Sequence, residues 1–287
     1  KQYIDGIASW YTCMYGHSHP QIISRVKQQL DVLDQVVFSG FTHPPAIELS
    51  EKLMNILPST MAKIFFSDNG STSVDVAIKM SLQYHFNQGH KKKRIIAFNN
   101  AFHGDTFGAM SVSGLSVYNG PFEDFLLTVD RLNVPDETNI ETVMESFRAM
   151  LDSNEVAAFI YEPLVQGAAA MKTHNRSGLE AVLKYLKNKE ILLIADEVMT
   201  GFRVSRGGAQ EHYDVKPDLT TLGKVIGGGL PVGAFGGKRE IMEHIAPLGP
   251  VYQAGTLSGD PVSMAAGLAS MEILMQDGFH DNLSQKA

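Results

Sequence analysis

Residues 191–202 read Ile-Leu-Leu-Ile-Ala-Asp-Glu-Val-Met-Thr-Gly-Phe. Five consecutive apolar residues that end at two carboxylates are typical of a strand buried on both faces, so we expect a strand at 191–195. Similar short apolar runs occur at Lys63–Ser67, Arg94–Phe98 and Val156–Tyr161. The sequence therefore predicts several buried strands that share one sheet.

Segments with helical periodicity separate these runs. They are Ser71–Asn87, Ile140–Leu151 and Gly178–Lys189, and further helices are expected at Pro20–Leu33, Pro45–Leu57 and Pro261–Gln276. This alternation predicts an α/β fold in which a mostly parallel sheet carries helices on both faces. Ligands of such sheets bind outside the carboxyl ends of the strands.

The composition excludes several classes of function. The 287 residues are 44% hydrophobic and carry a net charge of -7. A negatively charged protein repels the phosphates of nucleic acid, so a nucleic-acid-binding role is not expected. We interpret the one basic run, residues 90–94, as a solvated loop that enters a strand. The single cysteine, Cys13, rules out an internal disulfide and fits the cytoplasm, and no stretch is long enough to span a membrane. Lys1–Gly6 resembles the middle of a strand, so we expect the chain to begin inside a larger protein.

Polar residues follow four of the predicted strands, where the carboxyl ends should meet at one edge. They are Asn69, Gly70, Ser71 and Thr72 after the first strand, Phe102 and His103 after the second, Glu162 after the third and Asp196 after the fourth. We therefore expect these residues to share one site.

Asp196 ends the most apolar strand, where an unpaired carboxylate would be costly to bury. It needs a cationic partner, and a protonated pyridine nitrogen is one. A helix N-cap and a metal ligand are the alternatives, but no His or Cys follows at ligand spacing, so we expect no metal site.

Lys224 lies in an apolar, glycine-rich setting, Thr220–Gly229. A desolvated lysine loses its proton more readily and becomes a nucleophile for an aldehyde, as Schiff-base chemistry requires. A solvated surface lysine is the alternative. The glycines do not form the G-x-G-x-x-G or P-loop patterns of nucleotide-binding folds.

Residues 69–72, Asn-Gly-Ser-Thr, lie where a strand turns into a helix. Glycine allows close approach, hydroxyls donate hydrogen bonds, and the free amides of the first helical turn favour a phosphate. The alternative is that Ser71 or Thr72 only caps the helix. Among the aromatic residues, Phe102 and Trp10 are candidates for lining a pocket, although aromatic side chains more often fill cores.

Together these residues resemble the class III aminotransferases of pyridoxal 5'-phosphate (PLP) fold type I. Residues 1–200 are similar to adenosylmethionine-8-amino-7-oxononanoate aminotransferases, in the segments Asp5–Trp10, Phe38–His43, Asp68–Ser71, Phe102–Ser111 and Glu162–Ala168. Residues 196–287 are more similar to glutamate-1-semialdehyde 2,1-aminomutases, in the segments Gly201–Val204, Gly207–Gln210, Lys216–Ala234 and Tyr252–Gly259. We hypothesise that the chain is a hybrid of two such genes.

The resemblance implies a role for each matched residue. Lys224 is the Schiff-base lysine and Asp196 the partner of the pyridinium nitrogen. Gly70 and Ser71 hold the phosphate, and Phe102 stacks on the ring where the family usually has tyrosine. The remaining cofactor contacts are Asn69, His103, Glu162, Val198 and Met199, and the substrate contacts are Trp10, Tyr11 and Gln166, of which Gln166 also belongs to the cofactor's hydrogen-bonding shell.

The resemblance further implies a homodimer, in which Thr256 reaches the phosphate bound by the neighbouring subunit. We expect residues 1–30 to be a remnant of an N-terminal segment, residues 31–270 to form the PLP-binding large domain, and residues 271–287 to begin the linker to a missing C-terminal domain. That domain supplies a substrate-binding arginine in the family.

Three functions are compatible with these patterns. The first is an aminotransferase that moves an amino group from an amine or S-adenosylmethionine-like donor to a ketone or aldehyde. The second is an aminomutase acting on glutamate semialdehyde, and the third is a PLP-binding hybrid with little activity.

Overall fold

A seven-stranded sheet forms the centre of the molecule, in a computed structural model that describes residues 1–286. Its order is β1-β9-β8-β7-β4-β2-β3, and β5 and β6 form a separate small hairpin. The strands are β1 Lys63–Ser67, β2 Arg94–Phe98, β3 Val129–Leu132, β4 Val156–Tyr161, β5 Val165–Gln166, β6 Lys172–Thr173, β7 Leu192–Asp196, β8 Leu219–Leu222 and β9 Gly233–Gly237.

One strand of the main sheet runs against the others. β9 is antiparallel to both of its neighbours, β1 and β8, whereas β2 pairs in parallel with β3 and β4, and β7 pairs in parallel with β4 and β8. The mostly parallel sheet predicted from the sequence is confirmed. The carboxyl ends of six strands consequently lie along one edge.

Helices cover both faces of this sheet. They span Pro20–Leu30, Pro44–Ile56, Gly70–Asn87, Phe107–Val112, Ile140–Leu151, Arg176–Lys187, Gly208–His212, Arg239–Met242, Pro261–Leu274 and Phe279–Lys286, with 3-10 turns at Gly120–Phe125 and Lys224–Gly227. Neighbouring strand residues divide between two cores, since Ile95 packs with helix Gly70–Asn87 and Ile96 packs with helices Ile140–Leu151 and Arg176–Lys187. This alternation is the period of two expected for strands buried on both faces.

Strand β9 was not predicted, because its sequence is Gly-Ala-Phe-Gly-Gly. Glycine weakens a strand and gives no strand signal in the sequence. Here it is required by close packing: a Cβ on Gly233 would lie 2.1 Å from the Asn69 carbonyl oxygen, and one on Gly237 would lie 2.5 Å from a Leu219 methyl. The short strands β3 and β8 were also missed.

Two local predictions were wrong. Lys1–Gly6 forms no strand, and the side chains of Tyr3 and Ile4 are exposed there. In the basic run, Lys92 is buried rather than solvated, and its Nζ donates a 2.8 Å hydrogen bond to the Glu190 carbonyl oxygen. The Glu190 carbonyl therefore replaces one water partner of the buried ammonium group.

Two kinds of feature are absent from residues 1–286. Over that range no helix has both the length and the apolar character needed to cross a membrane. Over the same range no group of three His, Cys, Asp or Glu side chains is arranged to hold a metal ion.

Candidate active site

A cavity of about 780 Å³ opens at the carboxyl ends of the strands. All but three of the site residues expected from the sequence lie on its wall, the exceptions being Thr72, Gln166 and Thr256. Those on the wall are Trp10, Tyr11, Asn69, Gly70, Ser71, Phe102, His103, Glu162, Asp196, Val198, Met199 and Lys224. The cavity is of the size that binds a small organic molecule.

Asp196 is buried at the end of β7 and accepts three hydrogen bonds. His103 Nδ1 lies 2.6 Å from Asp196 Oδ2, while Oδ1 accepts from the Val198 amide at 3.0 Å and from the Thr221 hydroxyl at 3.2 Å. A carboxylate can only accept, so His103 Nδ1 carries a proton. The carboxylate is held in one orientation from three sides.

The other ring nitrogen of His103 has no partner. His103 Nε2 is buried and forms no hydrogen bond with any of residues 1–286. An unsatisfied buried polar atom is uncommon in a native protein and often marks a functional site. Here it lies beside the carboxylate that the sequence singled out.

Lys224 follows β8 and begins the 3-10 turn Lys224–Gly227. Its backbone is left-handed, with φ of 48°, a conformation that non-glycine residues seldom adopt and that clusters at functional sites. Burial lowers the pKa of the Lys224 ammonium, and the negative charges of Asp196 and Glu162 partly oppose that change. A lysine with a lowered pKa supplies the free amine that attacks a carbonyl.

Glu162 is the third charged group of the cavity. Its carboxylate accepts hydrogen bonds from the Phe102 amide at 3.2 Å and from the Gly167 amide at 3.1 Å, which ties together the loops after β2 and β4. Burial raises the pKa of Glu162 to about 7, and the charge of Asp196 acts in the same direction. Its protonation therefore changes close to neutral pH.

The helix Gly70–Asn87 points its first turn at the cavity. Asn69 is the N-cap, with its Oδ1 accepting from the Thr72 amide at 3.0 Å and its own amide donating to the Thr72 hydroxyl at 3.2 Å. Capping is thus done by Asn69 and Thr72, and Ser71 is left on the cavity wall. The first amides of a helix have no partner within it and favour an anion.

Glycines give this corner its shape. A Cβ on Gly70 would lie 2.6 Å from Val198 Cγ1, and one on Gly104, where φ is 134°, would lie 2.2 Å from Ser71 Oγ. No other residue fits at either position without displacing a neighbour. Glycine at these two positions lets the loops after β1, β2 and β7 pack closely against one another.

The segment Ala8–Tyr11 borders the mouth of the cavity and has an unusual backbone. All four residues have positive φ, from 47° to 71°, and form a left-handed helical turn. L-amino acids pay roughly 1–2 kcal/mol each for this conformation, so other contacts must hold it. Trp10 projects from the turn with 70% of its surface exposed. No glycine in the turn itself signalled this geometry in the sequence.

Gln166 and Thr256 lie away from the cavity wall. Gln166 is buried, and its Nε2 donates to the Asn99 carbonyl oxygen at 2.7 Å. Thr256 is exposed, and its carbonyl oxygen accepts from Gln35 Nε2 at 2.8 Å. The substrate role of Gln166 and the intersubunit role of Thr256 stay predictions.

Sequence reasoning missed ten residues of the wall. They are Thr12, Gly104, Val165, Gly167, Ala168, Thr200, Gly229, Leu230, Pro231 and Val232. The first six lie within two residues of a predicted one, whereas Gly229, Leu230, Pro231 and Val232 follow Lys224 at a distance of five to eight residues.

A half-buried lysine with a lowered pKa, an oriented carboxylate and a helix N-terminus on one cavity define an α/β enzyme that handles carbonyl and amine groups. Comparison with known proteins is consistent with that class: the family model described as aminotransferase class-III matches residues 1–287. The chain belongs to the class III aminotransferase family, which is PLP-dependent.

Two relatives match nearly the whole chain. The adenosylmethionine-8-amino-7-oxononanoate aminotransferase of Synechococcus elongatus is 39% identical, over 96% of this chain and 68% of that protein. The glutamate-1-semialdehyde 2,1-aminomutase of Chloroherpeton thalassium is 40% identical, over 100% of this chain and 65% of that protein. The chain thus spans about two thirds of the length of either relative.

Solved structures agree with this fold. The omega transaminase of Pseudomonas jessenii, in complex with PMP, superimposes with a TM-score of 0.91 at 27% identity. The match covers 99% of this chain and 67% of that one.

Proposed function

We propose that this chain is the cofactor-binding part of a PLP-dependent aminotransferase, corresponding to the large domain expected at residues 31–270. The donor is an amine or an S-adenosylmethionine-like compound, and the acceptor is a ketone or an aldehyde. The observation that carries the proposal is that Lys224 Nζ, the Asp196 carboxylate and the first turn of helix Gly70–Asn87 share one cavity.

The cavity suits PLP in charge as well as in size. The dianionic phosphate of PLP is complementary to the free amides of Gly70 and Ser71. The protonated ring nitrogen of PLP is complementary in charge to the buried carboxylate of Asp196. PMP bound by the Pseudomonas jessenii transaminase is the amine form of this cofactor.

When bound, PLP supplies an aldehyde that condenses with amines and a ring that accepts electrons from the carbon being deprotonated. Lys224 would hold the aldehyde-bearing end of PLP, and its Nζ would move the substrate's α proton as general base and acid. Its lowered pKa favours the free amine that both tasks require.

Asp196 and His103 act together on the far side of the cavity. The carboxylate keeps a proton on the ring nitrogen, and His103 fixes the carboxylate through the 2.6 Å hydrogen bond. Phe102, Val198 and Met199 supply apolar wall around the ring. Glu162 joins the cofactor's hydrogen-bonding shell, with Gln166 behind it.

Trp10 and Tyr11 contact the substrate at the mouth of the cavity. Thr256 reaches the phosphate bound by a second subunit of a homodimer, which its exposed position supports. The cytoplasm is the expected compartment, supported by the presence of one cysteine.

An aminomutase acting on glutamate semialdehyde is the second candidate. It is favoured by the 40% identity to the Chloroherpeton thalassium enzyme over the entire chain. Turnover of purified protein with S-adenosylmethionine, 1-phenylethylamine and glutamate semialdehyde separates the candidates. Turnover of glutamate semialdehyde alone would favour the aminomutase.

The visible spectrum tests the cofactor and the lysine together. We expect the full chain to be yellow with PLP, to lose that absorbance band in Lys224→Ala, and to keep it in Lys216→Ala, whose side chain is exposed. A band that survives in Lys224→Ala would contradict the assignment of the lysine.

A further inference from the structure

Arg203 holds the left-handed turn Ala8–Tyr11 in place. Its Nη1 donates a 3.0 Å hydrogen bond to the Tyr11 carbonyl oxygen, and its guanidinium carbon lies 5.7 Å from the centre of the Tyr11 ring. The Arg203 side chain thus contacts both the backbone and the aromatic ring of Tyr11. Within residues 1–286 Arg203 forms no ion pair with a carboxylate.

That arrangement is uncommon for an arginine. A guanidinium usually pairs with a carboxylate or a phosphate, or stays in water. Arg203 is half-buried, and this burial lowers the pKa of its guanidinium. The half-buried guanidinium contacts Tyr11, a residue of the cavity wall, in place of a carboxylate.

Other contacts fix the opposite end of the turn. The Asp5 carboxylate accepts from the Ser9 amide at 2.8 Å and from the Ser9 hydroxyl at 2.9 Å, and the Cys13 amide donates to the Ala8 carbonyl oxygen at 3.0 Å. At the Tyr11 end the remaining side-chain contact is a 3.6 Å hydrogen bond from the Tyr11 hydroxyl to Met171 Sδ. Arg203 is therefore the main polar anchor at the end nearest the cavity.

Arg203 also connects this turn to the catalytic strand. Its amide donates to the Thr200 carbonyl oxygen at 3.1 Å, and Thr200 lies on the cavity wall four residues after Asp196. The loop after β7 thus spans from the carboxylate of the site to the mouth of the cavity.

We infer that Arg203 is a positioning residue that clamps Trp10 and Tyr11 at the mouth of the cavity and so determines which substrates enter. The inference rests on the proposed function, since it concerns the substrate end of that site. Arg203 is not on the cavity wall, so it acts through Tyr11. Loss of the clamp frees a backbone that is strained at four consecutive residues.

Trp10 is the single tryptophan of the chain and reports on the turn directly. Its fluorescence anisotropy is measured in the full chain, with and without PLP, for Arg203→Leu. The matched control is Arg206→Leu, because Arg206 is exposed and pairs with Asp277. We expect lower anisotropy in Arg203→Leu and no change in the control.

Steady-state kinetics give the second readout. In Arg203→Leu we expect KM for the amine substrate to rise about tenfold, the effect of losing one hydrogen bond to a charged group, with kcat and PLP affinity unchanged. Arg203→Lys keeps a donor but not the planar contact with the ring, so it should lie between the wild type and Arg203→Leu.

A second substitution separates a clamp from a general effect of charge. Ala8 has φ of 49°, which glycine adopts without strain. In the Arg203→Leu background, Ala8→Gly should therefore raise the anisotropy and lower KM toward the wild-type values.

Each outcome decides a separate point. Unchanged anisotropy in Arg203→Leu overturns the clamp whatever the activity, and lower anisotropy with unchanged KM overturns its role in substrate choice. A chain that binds no PLP yet shows the drop in anisotropy supports the clamp and contradicts the proposed function.

Discussion

His103 Nδ1 lies 2.6 Å from Asp196 Oδ2, and both side chains are buried. The pair joins the loop after β2 to the end of β7, so the orientation of the carboxylate depends on a residue far away in the sequence. A hydrogen bond to a charged group that is buried is worth about 1.5–3 kcal/mol.

Replacement of His103 tests whether its hydrogen bond orients the Asp196 carboxylate. Asn can place an amide donor where Nδ1 lies, whereas Leu offers none, so His103→Asn should retain most activity and His103→Leu should lose about ten- to hundredfold in kcat/KM. The measurement is kcat/KM together with the PLP dissociation constant. Equal losses in the two variants would show that the hydrogen bond does not matter.

The buried carboxyl of Glu162 predicts a dependence of stability on pH. Its pKa is raised to about 7 from an ordinary 4.5, so between these values the native state binds a proton that the unfolded chain releases. The stability from this group is present below about pH 4.5 and is lost as the pH rises through 7, a decrease of the order of 3 kcal/mol.

Urea unfolding between pH 5 and 8 tests that dependence. The slope of the unfolding free energy against pH should be shallower in Glu162→Gln than in the wild type, and unaltered in Glu145→Gln, whose side chain is exposed. Parallel slopes in all three proteins would argue against the assignment. Glu197, also buried with its pKa raised to about 7, accounts for a further part of the wild-type slope.

Gly70→Ala should weaken PLP binding by a steric route. The new methyl would lie 2.6 Å from Val198 Cγ1, and overpacking of this kind costs about 1–3 kcal/mol, or about tenfold or more in affinity. Adding Val198→Ala removes that methyl contact and should restore part of the affinity. Gly120→Ala is the control, since nothing lies within 4 Å of its Cβ position. Without rescue by Val198→Ala the steric explanation fails.

Complementation tests the predicted homodimer. If Thr256 acts on the neighbouring subunit, a mixed dimer of Lys224→Ala and Thr256→Val chains contains one site with both native residues. Random reassociation of equal amounts of the two nearly inactive proteins makes half of the dimers mixed, each with one native site of two, so activity should rise toward about a quarter of the wild-type value. Activity that stays at the sum of the separate variants would place Thr256 within its own subunit's site or outside it.

The site was largely predictable because its residues follow strands. Glu162 and Asp196 each end an apolar run, and the geometry of a parallel sheet brings such ends together. Lys224 was found from its apolar setting, although the strand before it was missed.

The mouth of the cavity was harder to predict for a physical reason. The left-handed turn at Ala8–Tyr11 contains no glycine, so its backbone depends on contacts with distant residues such as Arg203. Strand β9 was not predicted for the opposite reason: it contains glycines because neighbouring residues leave no room for a side chain. Long-range contacts of either kind leave no local pattern in the sequence.

The two ends of the cavity differ in what sets their dimensions. Gly223, directly before Lys224, packs against Gly70, where an added Cβ would lie 3.3 Å from the Gly70 Cα. The spacing between Lys224 and the first turn of helix Gly70–Asn87 is therefore set by two glycines in close contact with each other and with Val198, whereas the opposite end of the cavity is built from larger side chains. An engineer can reshape the entrance for new amines and leave the contact between Gly223 and Gly70 untouched, because neither glycine has a side chain to exchange.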